Sequence, residues 1–122
     1  MQILAVATGG ALGALGRYWV SGWLNNADHL FPLGTLSVNV IGSFLMGVCF
    51  VLILEKAHLS PELRPLLMVG FLGAFTTFST FSLETVAMIG EGHIMSALIY
   101  ISLSVLLCIA ALGAGLWLTR LF

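Results

Sequence analysis

The residues able to do chemistry in this chain gather in one stretch, residues 70–82, which reads GFLGAFTTFSTFS. Two glycines (Gly70, Gly73) precede five hydroxyl side chains (Thr76, Thr77, Ser79, Thr80, Ser82), interleaved with four phenylalanines (Phe71, Phe75, Phe78, Phe81). No charge falls between Arg64 and Glu84. A lipid-facing helix has little use for so many hydroxyls and β-branched residues. Hydrocarbon holds no water, so non-helical backbone there must be buried in protein or line a cavity. An interrupted membrane helix frees carbonyls and amides that can hold an ion. A face of small residues for helix packing is the alternative; the pattern points to an ion site.

Other segments supply further polar groups. Thr35, Asn39 and Ser43 recur at i, i+4 and i+8 and share one helical face. Asn39 can glue two helices together, or its NH₂ can donate to a dehydrating anion. Tyr100, Ser104 and Cys108 form a polar stripe with the same spacing, read as packing or as the wall of a narrow path. Phe78 and Phe81 share a face if the chain is helical there. Phenyl rings serve packing, yet their electropositive edges can also brush an anion. Arg17 can snorkel to the interface or give a vestibule a positive field. Glu84 suits a proton relay, an acceptor for Arg17, or a wet vestibule wall.

Composition sets the frame for these groups. Of 122 residues, 60% are hydrophobic and 7% charged, with a mean hydropathy of +1.12; soluble domains carry about 25% charged residues. The expected fold is an all-α integral membrane protein, one domain over residues 1–122. Its four spans cover about 3–24, 33–54, 62–90 and 94–118, each long enough for the roughly 20 residues that cross a bilayer. The third is expected to be broken near mid-membrane. Ala5-Val6-Ala7 mimics a signal-peptide cleavage site, but the apolar run before it is short and the start is read as the first span. Gly9-x-x-x-Gly13 is a close-packing signature. Ser60-Pro61-Glu62 predicts a helix start at Pro61. Trp19, Trp23 and Trp117 sit near segment ends, as interfacial anchors do.

The net charge of −1 gives no reason to expect nucleic acid. Cys49 and Cys108 read as core residues rather than a disulfide or metal ligands. His29, His58 and His93 fall in linkers. No nucleophile–base–acid order, phosphate loop or metal cluster emerges, so no enzyme is expected. One side collects Lys56, Arg64 and Arg120 while the other has at most Arg17. That bias is weak enough to allow insertion in both orientations.

Three motifs together resemble a known family. GFLGAFTTFSTFS, with GTLSVNVIGSFLMG at residues 34–47 and GALGRY at residues 13–18, looks like the Fluc fluoride channels, also called CrcB proteins, over nearly the whole chain. The resemblance implies an antiparallel homodimer of dual topology with two fluoride pores; the lack of a signal peptide and helical spans rather than barrel strands favour a bacterial-type cytoplasmic membrane. It implies a structural sodium ion on the dimer axis, held by the backbone carbonyls of Gly73 and Thr76 and the same pair from the second copy. Asn39, Phe78 and Phe81 match the pore lining. Ser79, Thr80 and Thr35 supply nearby hydroxyls, Tyr100 and Ser104 match the polar track, and Arg17 matches the vestibule arginine. Ala74 stands where many relatives have a second glycine, and Cys108 where a hydroxyl is usual. Fluoride entering cells as HF and trapped by dissociation would leave passively through such a channel.

Two rivals make different demands. A small proton-coupled multidrug antiporter needs an embedded carboxylate, for which Glu84 is the candidate. A subunit that only packs against larger partners has no use for Asn39 or the hydroxyl cluster.

Overall fold

The computed structural model describes residues 1–25 and 31–122, and these are helical with short connections. Asp28 and His29 lie outside the described residues. Helix α1 runs Gln2–Leu24. Helix α2 runs Leu33–Phe50 and continues as a wider π-helical turn, Val51–Glu55. A second π-helical segment, Pro65–Leu72, leads into a single turn, α3 (Gly73–Phe75). After two extended residues come α4 (Phe78–Gly90) and α5 (Ile94–Arg120). Among the described residues, Gln2–Leu24, Leu33–Glu55, Pro65–Gly90 and Ile94–Arg120 are long and apolar enough to cross a membrane.

Local chemistry explains the ends. At the second connection Ser60 Oγ accepts the Glu62 amide (3.3 Å), but Pro61 and Glu62 form a tight turn. Helical backbone begins at Leu63, two residues later than the proline pattern predicts. The α4–α5 corner is closed by Gly92 at φ +87°, a left-handed conformation that glycine adopts without steric cost. There the Gly92 amide donates to Ile89 O (3.1 Å) and the His93 amide to Met88 O (2.8 Å). That pairing satisfies the last carbonyls of α4 and turns the chain within three residues.

The helices approach closely at glycines. A Cβ on Gly13 would run into the Phe71 carbonyl, and one on Gly9 into the Leu66 carbonyl; one on Gly70 would lie 2.8 Å from Val6 O. The Gly9/Gly13 pair is therefore where α1 meets the third span. Gly47 and Gly115 do the same for α2 and α5, each against the other helix's backbone. At one end Lys56 Nζ donates to Thr119 O (3.0 Å) and Arg120 O (3.2 Å). Arg120 pairs with Glu55 through Nε–Oε2 (2.9 Å) and Nη2–Oε1 (2.5 Å). A buried cluster of Leu36, Phe81, Met88, Ala97 and Tyr100 holds the second, third and fourth spans together. Trp19, Trp23 and Trp117 are exposed, as are most large aliphatic side chains of the outer faces.

Candidate functional site

The site is built around two residues. Thr76 (φ −81°, ψ 153°) and Thr77 (φ −148°, ψ 115°) are extended, so helical hydrogen bonding stops after α3 and restarts with α4. The Thr76 hydroxyl still bonds back to Leu72 O (3.0 Å). Thr77 opens the next helix: its Oγ1 accepts the Thr80 amide (3.1 Å), the bond expected of a threonine N-cap. Its hydroxyl also lies 3.0 Å from Thr80 Oγ1 and 3.3 Å from Ser79 Oγ.

Two side chains from other spans brace this interruption. Asn39, on α2, meets the Thr77 backbone at both ends: Oδ1 accepts the Thr77 amide (2.8 Å) and Nδ2 donates to Thr77 O (3.1 Å). Arg17, on α1, donates from Nε to Ala74 O (3.0 Å). Arg17 is half-buried and bonded to backbone, so it does more than snorkel. Ala74 itself is helical and needs no unusual conformation.

Two grooves flank Thr77. The first, of about 450 Å³, lies between α2, α4 and α5 and is lined among others by Asn39, Thr76, Phe78, Phe81, Ser104 and Cys108. The rings of Phe78 and Phe81 are 5.4 Å apart between centroids. Phe81 is buried, whereas Phe78 is 78% exposed on the protomer. Ser104 Oγ is buried and has no hydrogen-bond partner among the described residues. The second groove, of about 470 Å³, is lined among others by Arg17, Tyr18, Thr35, Thr77 and Thr80.

The two are linked by a chain of polar contacts. Thr35 donates to Glu84 Oε1 (2.5 Å), and the Tyr100 hydroxyl lies 3.5 Å from Glu84 Oε2. The Tyr100 ring packs on Phe81 at 5.1 Å. Glu84 is thus held by neutral hydroxyls, and Arg17 binds a carbonyl; of the three roles open to Glu84, acceptor for Arg17 is not the one seen. Tyr100 is fully buried in the apolar cluster rather than exposed along the first groove. Ser79 and Gly73 lie exposed on the protomer surface.

The structure therefore brings Asn39, Phe78, Phe81 and Ser104 together. It sets Arg17, Thr35 and Thr80 on the other side of the interruption. The residue undervalued by sequence reasoning is Thr77, the hub of both braces. Its spacing to Thr80 is that of an N-cap and its N3 residue, a signal present in the sequence. Among the described residues no group of His, Cys, Asp or Glu could hold a metal. Weak donors, aromatic edges and one fixed cation can bind and pass an anion.

Residues 4–116 match the family described as CrcB-like protein, Camphor Resistance (CrcB). The chain belongs to the CrcB family. Among its relatives is a protein of Hahella chejuensis, 54% identical over 121 residues, spanning 98% of this chain and 95% of the relative. One from Saccharophagus degradans is 55% identical over 118 residues, 96% of this chain and 88% of the relative. One from Magnetococcus marinus is 50% identical over 125 residues, 99% of each. All three bear the name fluoride-specific ion channel FluC. With four membrane-capable helices, this CrcB-family chain is a multi-pass membrane protein.

Proposed function

We propose that the chain forms a passive, fluoride-selective channel and is not an enzyme. It works as an antiparallel homodimer of dual topology, with two pores, in the cytoplasmic membrane of a bacterium. The observation that carries this reading is the first groove, lined by Asn39, Phe78, Phe81 and Ser104, whose buried Oγ has no hydrogen-bond partner among the described residues. A buried orphan hydroxyl is costly unless a partner arrives, and a small anion is a suitable one. The relatives' name supports fluoride as that anion.

Fluoride is small and strongly hydrated, so the path must replace its water. Arg17 supplies a positive field on one side of the interruption. Ser104 and the second N–H of Asn39 donate hydrogen bonds, and the Phe78 and Phe81 ring edges cover what remains. Weak, successive contacts let the ion leave as well as enter. Phe78 is largely uncovered on the protomer, which fits a face completed by a second copy.

A structural sodium ion suits the same region. The Gly73 and Thr76 carbonyls are both relieved of the amides that would close their helical turns, those of Thr77 and Thr80. Hard backbone oxygens of this kind match a hard monovalent cation. When bound, sodium would neutralise and tie together such carbonyls from the two copies.

The test is fluoride efflux from liposomes holding the purified protein alone, with valinomycin to carry potassium and chloride run beside it. Fast fluoride loss with negligible chloride loss is expected. Folded, inserted protein that passes no fluoride refutes the proposal.

A further inference from the structure

We propose that Asn39 and Thr77 are positioning residues that decide which carbonyls of the interruption are left free for a cation. The inference rests on the channel reading with its sodium ion and assigns these side chains a duty beyond lining a path. An uninterrupted helix pairs each carbonyl with the amide four residues on. Gly73 O would take the Thr77 amide and Thr76 O the Thr80 amide. In this chain each of those amides has a side-chain acceptor instead. Asn39 Oδ1 holds the Thr77 amide at 2.8 Å, and Thr77 Oγ1 holds the Thr80 amide at 3.1 Å.

The diversion is selective. Ala74 O lies between the two freed carbonyls in sequence, and Arg17 Nε occupies it at 3.0 Å. Asn39 also returns a donor to Thr77 O (3.1 Å), so the hub residue keeps both its backbone groups paired. Of the five carbonyls from Gly73 to Thr77, Ala74 O and Thr77 O are given side-chain donors, Gly73 O and Thr76 O lose their helical amides to side-chain acceptors, and Phe75 O receives no side-chain donor among the described residues. The side chains thus do more than tolerate an interruption: they hold two of its amides away from Gly73 O and Thr76 O and occupy two neighbouring carbonyls. Second-layer groups of this kind typically change metal affinity by about 10–100-fold when removed.

Remove the acceptors and the helix can heal. Asn39→Leu frees the Thr77 amide for Gly73 O, and Thr77→Val frees the Thr80 amide for Thr76 O at nearly constant shape. Thr77→Ser keeps the hydroxyl and should restore the arrangement. The experiment follows thermal unfolding of the purified protein as sodium replaces N-methylglucamine at constant ionic strength, since an ion bound only by the folded state stabilises it by RT ln(1 + c/Kd) at sodium concentration c, which yields the dissociation constant.

Wild type and Thr77→Ser should share one sodium dissociation constant, with those of Asn39→Leu and Thr77→Val raised by about tenfold or more. Thr77→Val carries the test should Asn39→Leu fail to fold. Variants with the wild-type sodium dissociation constant overturn the positioning role while leaving the sodium ion in place. A wild type indifferent to sodium overturns both together. Fluoride efflux measured on the same preparations separates either result from failure of the channel reading.

Discussion

Gly115→Ala, compared with Gly113→Ala two residues away on the same helix, tests whether the α2–α5 approach sets the dimensions of the first groove. At Gly115 a new Cβ would lie 3.2 Å from Val48 N, with the Phe44 carbonyl oxygen nearer still. Those are backbone atoms, and no side-chain rotation relieves them. At Gly113 the same Cβ meets nothing within 4 Å.

Both substitutions gain the helix-propensity advantage of alanine, about 1 kcal/mol, so that term cancels between them. What remains is overpacking, about 1–3 kcal/mol, as α5 retreats by roughly 1 Å to restore ordinary contact. Gly113→Ala should therefore unfold later than wild type in a reversible detergent-denaturant titration, and Gly115→Ala earlier than Gly113→Ala by that margin. The groove gives a second readout: Leu112 and Cys108 line it from α5, Ser43 and Met46 from α2. Separating the helices should raise chloride efflux relative to fluoride in Gly115→Ala liposomes but not in Gly113→Ala. Equal stabilities and equal ion ratios for the two variants would refute the idea that glycine contact sets the spacing.

Three further outcomes follow from the geometry. Arg17→Met removes the donor to Ala74 O and should cost about 1–3 kcal/mol of stability, with a loss of fluoride flux that persists at high salt; a loss abolished by salt would mean that Arg17 acts only through its field. Glu84→Gln keeps an acceptor for Thr35 and should leave fluoride efflux largely intact, whereas complete loss of transport together with proton coupling would favour the antiporter. Ser104→Ala deletes a hydroxyl with no partner among the described residues and should leave stability unchanged or raise it by about 1 kcal/mol while fluoride flux falls; a destabilised protein would refute its status as an orphan donor.

Much of the fold was legible because hydrophobicity and charge spacing are local properties. The four spans, the Gly9/Gly13 approach and the polar cluster of the third span can each be read within a few turns of chain. The glycines of that span were harder to interpret. Gly70 stays within the π-helical segment and gives α1 room, since Val6 O lies in the way of a side chain there. The extended residues come later, at Thr76 and Thr77. Ala74 looked like a departure that an interruption would have to tolerate, yet it sits inside α3, where alanine is the favoured residue. The partners of Asn39, Arg17 and Glu84 were not legible, because each lies on another span and depends on the rotation of one helix against the next. A sequence shows which face a residue occupies, but not which backbone amide that face will meet.

The two charges set well inside the spans, Arg17 and Glu84, bear directly on how an ion can move. Had they paired, they would have cancelled locally and left the grooves neutral. Each is instead held by neutral groups, Arg17 by Ala74 O and Glu84 by the Thr35 and Tyr100 hydroxyls. Neither lines the first groove, where Asn39, Ser104 and the phenylalanine edges present dipoles and quadrupoles. Full charge of either sign there would trap an anion or exclude it. Dipoles hold it only as strongly as hydrogen bonds do, and such contacts are replaced one at a time as the ion advances. On the proposed channel reading, charge kept outside the groove and neutral donors kept within it are the conditions for passage rather than storage. On the proposed path the groove's own needs take up Thr76 Oγ1 and one N–H of Asn39, which leaves Ser104 Oγ, without a partner among the described residues, as its chief free donor for a hydrated ion.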